Sequence, residues 1–183
     1  ISPNKIKGYE FYIDLDQVLS SKKVSFFQLR LKNEKSRNKI AIGKKIKKIC
    51  KKHRVKFLVN DEPYLAKKLK ADGCHIGQKD MSILKVKKIL KNKIIGITCH
   101  NSINLVKQAI KRQPNYIALG AFYSSKTKKV KFKANIQILK YAKTMTKIPI
   151  VAIGGIKSNN YKKLLLNKAN FLAISGYIWN NKK

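Results

Sequence analysis

The sequence predicts an α/β chain folded as a (βα)8 barrel, one domain over residues 1–183, and three observations carry that expectation. Apolar runs of strand length recur near 1–3, 24–31, 55–59, 71–76, 93–97, 115–119, 148–153 and 170–174, separated by stretches with helical spacing. Regular alternation of this kind is the pattern of a parallel sheet with crossover helices. Functional residue types also gather just past the strand runs: Asp61, Asp80, the paired Gly154-Gly155, and Ser175-Gly176. The carboxyl ends of parallel strands are where barrels keep their chemistry, and glycine and serine after the seventh and eighth strands form a recurrent phosphate site. The first strand is expected to be clipped at Ile1 and the last helix to be short before Lys183.

Each element has a local reason. Residues 9–20 carry Phe11, Leu15, Val18 and Leu19 on one helical face. In 24–32 the alternation sends Phe27, Leu29 and Leu31 to one side and Gln28, Arg30 and Lys32 to the other. An amide and two cations converging on one face suit a polyphosphate clamp. Residues 33–53 form a lysine-covered helix with a stripe at Ile40, Ile42, Ile46, Ile49 and Cys50. The stretch 57–80 reads as strand, turn, helix begun at Pro63, short strand and loop. Asp72 there is expected to cap the strand or turn, and His75 to sit in the barrel wall. Helices follow at 82–90, with Ser82 as N-cap, and at 102–112, 134–143 and 158–166. The segment AFYSSKTKK over 121–129 is a polar loop.

The charge balance narrows the function. Forty-three Lys+Arg against eight Asp+Glu give a net +35, which suits a polyanionic partner. Only Arg30, Arg37, Arg54 and Arg112 are arginines, however, and the lysines spread over every predicted helix after the first. Specific nucleic-acid readers favour arginine in one patch, so a nucleic-acid-binding protein is the disfavoured alternative. No acid follows Asp80, so a carboxylate-bound metal must draw on the first 80 positions, with Asp61 and Asp80 as the natural pair. Cys50, Cys74 and Cys99 are odd in number without a C-x-x-C, as expected of reduced thiols in a cytoplasmic protein. No apolar run reaches membrane-span length and no signal-peptide pattern is present.

Asn60-Asp61, then Ala71-Asp72-Gly73, His75 and Gly77-Gln78-x-Asp80, resembles the central signature of thiamine-phosphate synthases. Gln28-x-Arg30-x-Lys32 resembles that family's pyrophosphate strand. The end of 96–100, with Thr98 and His100, resembles its G-[IV]-[ST]-x-H. The loop at 120–128 resembles its G-x-x-[FY]-x-T-x-T-K, with Ser124 for the usual proline and Ser125 for threonine. The motifs occur in order from Phe26 to Ser175. The resemblance implies a transferase of thiamine biosynthesis that joins an aminopyrimidine-methyl group, leaving its diphosphate, to the ring nitrogen of a thiazole phosphate. It implies that Gln28, Arg30, Lys32, Asn60 and Lys128 hold the pyrimidine diphosphate and that Thr98 approaches the pyrimidine. Ser125, Thr127, Gly155, Ile174 and Ser175 would hold the thiazole phosphate. Arg30, Lys32, Thr98 and Lys128 would be catalytic, and Mg²⁺ would bind Asp61 and Asp80. The thiazole tautomerases of the same superfamily, which lack that aspartate pair, are the nearest alternative. Tyr177, Ile178 and Trp179, or a partner subunit in a homo-oligomer, are expected to cover the outer wall beside the first and last strands.

Overall fold

The computed structural model describes residues 1–124 and 133–180. Helices and strands alternate as expected: α1 (Glu10–Ser20), β1 (Phe26–Leu29), α2 (Ser36–Lys52), β2 (Lys56–Asn60), α3 (Pro63–Lys68), β3 (Gly73–Ile76), α4 (Ile83–Leu90), β4 (Ile94–His100), α5 (Ile103–Arg112), β5 (Tyr116–Gly120), α6 (Gln137–Met145), β6 (Ile150–Ile153), α7 (Tyr161–Leu166), β7 (Phe171–Ala173) and α8 (Gly176–Trp179). The fold class is α/β with parallel strands, as the alternation predicts. The chain divides into two compact units, Ile1–His75 with Lys85–Ile94, and Ile76–Leu84 with Ile95–Lys183.

In the first unit β1 runs parallel to β2, Phe27 beside Phe57 and Leu29 beside Val59, and β2 runs parallel to β3, Asn60 beside His75. The alternation read in 24–32 holds: Phe27, Leu29 and Leu31 are buried, while Gln28 and Arg30 are half-buried and Lys32 is exposed. Regular pairing ends at Leu29, earlier than expected. α2 buries Gly43, Ile46 and Cys50. At Gly43 an added Cβ would lie 2.5 Å from the Leu69 side chain, so this helix face is close-packed. Lys47 Nζ donates to the Leu69 carbonyl at 3.0 Å, meeting the negative end of α3. His75 is buried within β3, as expected for a wall residue.

The expected first strand is a correction. Among the described residues there are seven strands, and residues 1–3 form none of them. Ser2 nevertheless lies along β1, its N–H donating to the Gln28 carbonyl at 2.9 Å and its Oγ accepting from the Arg30 N–H at 2.9 Å. The Ser2 hydroxyl thus fills the accepting place that a strand carbonyl would take opposite the Arg30 N–H.

In the second unit β4, β5, β6 and β7 pair in parallel in that order. A bulge between Thr98 and His100 interrupts the β4 ladder. Ile95, Ile117, Leu119, Leu139, Ile150, Ala152 and Leu164 are essentially buried, and each large apolar side chain removed from water contributes about 1.5–3 kcal/mol. Several elements start later than the sequence suggests: α6 at Gln137 rather than 134, and α7 at Tyr161 rather than 158. α8 is a single turn, in keeping with the expected short last helix, and Tyr177 and Trp179 within it are half-buried while Ile178 is exposed.

A repeated clasp pins the amino ends of the strands. Asp72, Asn115 and Asn170 each stand one residue before a strand, β3, β5 and β7. Each donates its backbone N–H to a carbonyl of the preceding strand and accepts that same residue's N–H on its side-chain oxygen. Asp72 closes this ring on Phe57 (2.8 and 2.8 Å), Asn115 on Ile95 (2.8 and 2.8 Å) and Asn170 on Ile150 (2.8 and 2.9 Å). Phe57, Ile95 and Ile150 are buried, so an N–H without its partner there would be costly. The structural role expected for Asp72 is therefore observed, and the two asparagines share it.

Two measurements follow from this packing. Asn115→Ala and Asn170→Ala should each cost about 1–3 kcal/mol, read as a lower urea midpoint at unchanged slope. All three cysteines are buried, and burial pushes the Cys50 and Cys99 thiols up to about 12, helped at Cys50 by the Asp72 carboxylate. A thiolate-selective alkylating reagent at pH 8 should therefore label none of the three in the native protein and all three in denaturant.

Candidate active site

Arg30, Lys32, Asn60 and Asp61, four of the expected site residues, stand at the carboxyl ends of β1 and β2. Arg30 follows β1 with its backbone held by Ser2, and its Nη1 donates to Asn4 Oδ1 at 2.9 Å. Two residues on, Lys32 Nζ lies 3.1 Å from Asp61 Oδ2. The structure thus brings one predicted clamp cation against one predicted metal carboxylate. Asn60 ends β2, half-buried, and its carbonyl accepts from Glu62 N–H at 2.8 Å. Asp61 has φ 61°, a left-handed conformation that aspartate and asparagine tolerate better than most residues. Its N–H donates to the His75 carbonyl at 2.7 Å, which fixes the turn that presents the carboxylate. Nearby, Lys39 Nζ pairs with Glu62 at 2.6 Å, so the two adjacent acids have separate cations.

The second unit carries the remaining positions. Asp80 closes its own loop, Oδ2 accepting from the Gly77 N–H at 2.7 Å. In the same loop the Gln78 side-chain amide donates to the Thr98 carbonyl. Thr98 is half-buried beside the β4 bulge, and His100 ends the strand with φ 51°. Among the described residues no three His, Cys, Asp or Glu side chains converge as a metal cluster. Asp61 and Asp80 offer anionic oxygen, the donor type that suits Mg²⁺, which commonly takes one or two carboxylates and completes its shell with water and phosphate.

The glycine turn after β6 is shaped by a neighbour. Gly154 has φ 104° and Gly155 φ 62°. A Cβ on Gly155 would lie 2.4 Å from the Ser124 carbonyl oxygen and 2.6 Å from that of Tyr123. The chain after β5 thus runs directly against the turn, with Phe122 N–H donating to the Ile153 carbonyl and Tyr123 N–H to the Gly154 carbonyl, each at 3.1 Å. Glycine is required there both by the backbone angle and by this close approach. Ile174 and Ser175 follow β7, half-buried, and the Ser175 carbonyl accepts from the Ile178 and Trp179 N–H groups. Ser125, Thr127 and Lys128 lie outside the described residues. Sequence reasoning missed Ser2 and Asn4, whose partner Arg30 is distant in the chain, and Asn160, which fell inside the helical run expected over 158–166 with nothing to mark its bonds to the glycine turn.

A family model described as thiamine monophosphate synthase matches residues 1–178. This chain belongs to the thiamine monophosphate synthase family. A thiamine-phosphate synthase of Pelagibacter ubique is 71% identical over 183 residues, covering 100% of this chain and 88% of that protein. One of Erythrobacter litoralis is 37% identical over 184 residues, covering 98% and 86%. Among solved structures, the thiamine phosphate pyrophosphorylase of Pyrococcus furiosus superposes with a TM-score of 0.84 at 26% identity, covering 96% of this chain and 83% of that one. The expected class of activity, a transferase of thiamine biosynthesis acting on small molecules, holds with family membership. No helix among the described residues is long and apolar enough to cross a membrane.

The crowding at the glycine turn yields a prediction. Gly155→Ala places a methyl group against two backbone carbonyls at an unfavourable φ. It should cost about 1–3 kcal/mol in stability, read by thermal melting.

Proposed function

We propose that this protein couples an aminopyrimidine-methyl diphosphate with a thiazole phosphate, releasing diphosphate and forming thiamine monophosphate. The observation that carries the residue assignment is the Lys32–Asp61 pair at 3.1 Å, beside Arg30 at the carboxyl ends of β1 and β2. A cation and a carboxylate held as each other's counter-ions are ready to be re-partnered by a phosphate and a metal ion. Gln28, Arg30, Lys32, Asn60 and Lys128 bind the departing diphosphate in this reading, and Asp61 and Asp80 supply the carboxylates for Mg²⁺. When bound, Mg²⁺ neutralises charge that develops on the diphosphate as its bond to carbon breaks.

The bond to diphosphate breaks first, leaving a pyrimidine-methyl cation that the thiazole nitrogen captures. Such a step asks the protein for no strong base or nucleophile. It asks for positive groups fixed where negative charge grows, the largest single contribution in many enzymes. Arg30 is fitted for this because a guanidinium can donate two parallel hydrogen bonds to one phosphate, and its backbone is already held by Ser2. Thr98 faces the pyrimidine, while Ser125, Thr127, Gly155, Ile174 and Ser175 hold the thiazole phosphate. Hydroxyl and backbone N–H donors suit a phosphate that must bind without reacting.

The test is diphosphate release from the pyrimidine diphosphate, with and without the thiazole phosphate and Mg²⁺. Arg30→Ala should lower turnover by about 10²–10³-fold with little change in melting temperature. Asp61→Asn and Asp80→Asn should each abolish Mg²⁺-dependent coupling and leave thiazole-phosphate binding nearly intact. Asparagine accepts the left-handed conformation at position 61, so the change removes charge at constant shape. A wild-type protein that isomerised the thiazole without Mg²⁺ and released no diphosphate would replace this reading with the tautomerase one.

A further inference from the structure

Asn160 is the residue just before α7, where an asparagine side chain normally accepts an N–H of the helix's first turn. Here it makes no such bond. The side chain turns back instead. Its Nδ2 donates to the Gly155 carbonyl at 3.1 Å, and its Oδ1 accepts from the Lys157 N–H at 2.8 Å. From the other side, Tyr123 Oη donates to the Asn160 backbone carbonyl at 3.0 Å, while Tyr123 N–H donates to the Gly154 carbonyl at 3.1 Å. One half-buried amide and one half-buried phenol therefore join three segments: the chain after β5, the glycine turn after β6, and the start of α7.

We infer that Asn160, supported by Tyr123, is a positioning residue for phosphate recognition by the Gly154-Gly155 turn. This rests on the assignment of Gly155 to the thiazole phosphate above. Glycines leave a turn free to adopt many conformations, and a phosphate needs its N–H donors aimed in one. Asn160 closes 155–157 by gripping both a carbonyl and an N–H of that turn, so the loop is set before ligand arrives. Pre-ordering of this kind raises affinity by removing the entropy that binding would otherwise have to overcome. Neither Asn160 nor Tyr123 has to touch the ligand for this to operate.

The consequence is a selective defect. Asn160→Ala should raise the KM for the thiazole phosphate about tenfold. The KM for the pyrimidine diphosphate, and diphosphate release without the thiazole, should stay within about twofold of wild type. Tyr123→Phe, which removes one hydroxyl and cannot unfold a core, should move the same constant in the same direction by a smaller factor. Calorimetric titration with the thiazole phosphate should give the same order: wild type tightest, Tyr123→Phe next, Asn160→Ala weakest. The inference is overturned if both variants bind the thiazole phosphate like wild type. It is also overturned if both KM values rise together alongside a lower melting temperature, which marks a general structural role. A wild-type protein that neither released diphosphate nor bound the thiazole phosphate would instead remove the functional assignment itself.

Discussion

The paired hydrogen bonds at the amino ends of the strands are the constraint on which the rest depends. Asp72, Asn115 and Asn170 each grip one buried residue of the preceding strand by both its N–H and its carbonyl. Parallel strands lack the hairpin turn that sets register in antiparallel pairs, and a one-residue slip would turn every side chain to the wrong face. A side chain that mimics a backbone carbonyl at the strand's first step fixes that register locally. The Asp72 clasp holds β2 and β3 in phase, and β1 runs in register along β2 with Gln28 beside Leu58.

Stability and chemistry are separated along each strand. The clasps lie at the amino ends, where burial is deep and an unpaired group would be costly. The candidate binding groups lie at the carboxyl ends, where Asp61 holds φ 61° and His100 φ 51°. Strained backbone of this kind persists where the surrounding fold over-determines it. At Asp61 the N–H bond to the His75 carbonyl supplies that restraint.

The net +35 charge has a modest part in this arrangement. Lysine covers the exposed helix faces and seldom finds an acid; Lys32–Asp61, Lys39–Glu62 and Lys52–Asp16 are among the pairs present. The Lys52 ammonium, with His53 beside it, holds the Asp16 carboxyl below its usual range. The Lys52–Asp16 pair, exposed on both sides, contributes little stability and is screened by salt. The general field of the lysines favours the approach of small phosphorylated ligands, whereas in the proposed function the binding geometry comes from Arg30 and Lys32.

The sequence by itself determined the strand and helix alternation, the polar face of β1 and the order of the family motifs. These signals are local: period two, period 3.6, or fixed spacing within about twenty residues. It also carried the structural role of Asp72 and the wall position of His75. The tertiary structure decided what depends on distant partners. Ser2 substitutes for a strand residue through bonds to a segment 28 positions away, where the sequence suggested a clipped strand. Asn115 and Asn170 read as the first residues of strands until their partners, 20 residues back, are seen. Asn160 falls inside the helix expected over 158–166, yet the helix begins after it, its amide faces the glycine turn, and its carbonyl meets Tyr123 37 residues earlier. A short polar side chain satisfies whichever backbone group folding leaves open beside it, and only the assembled strands define which group that is.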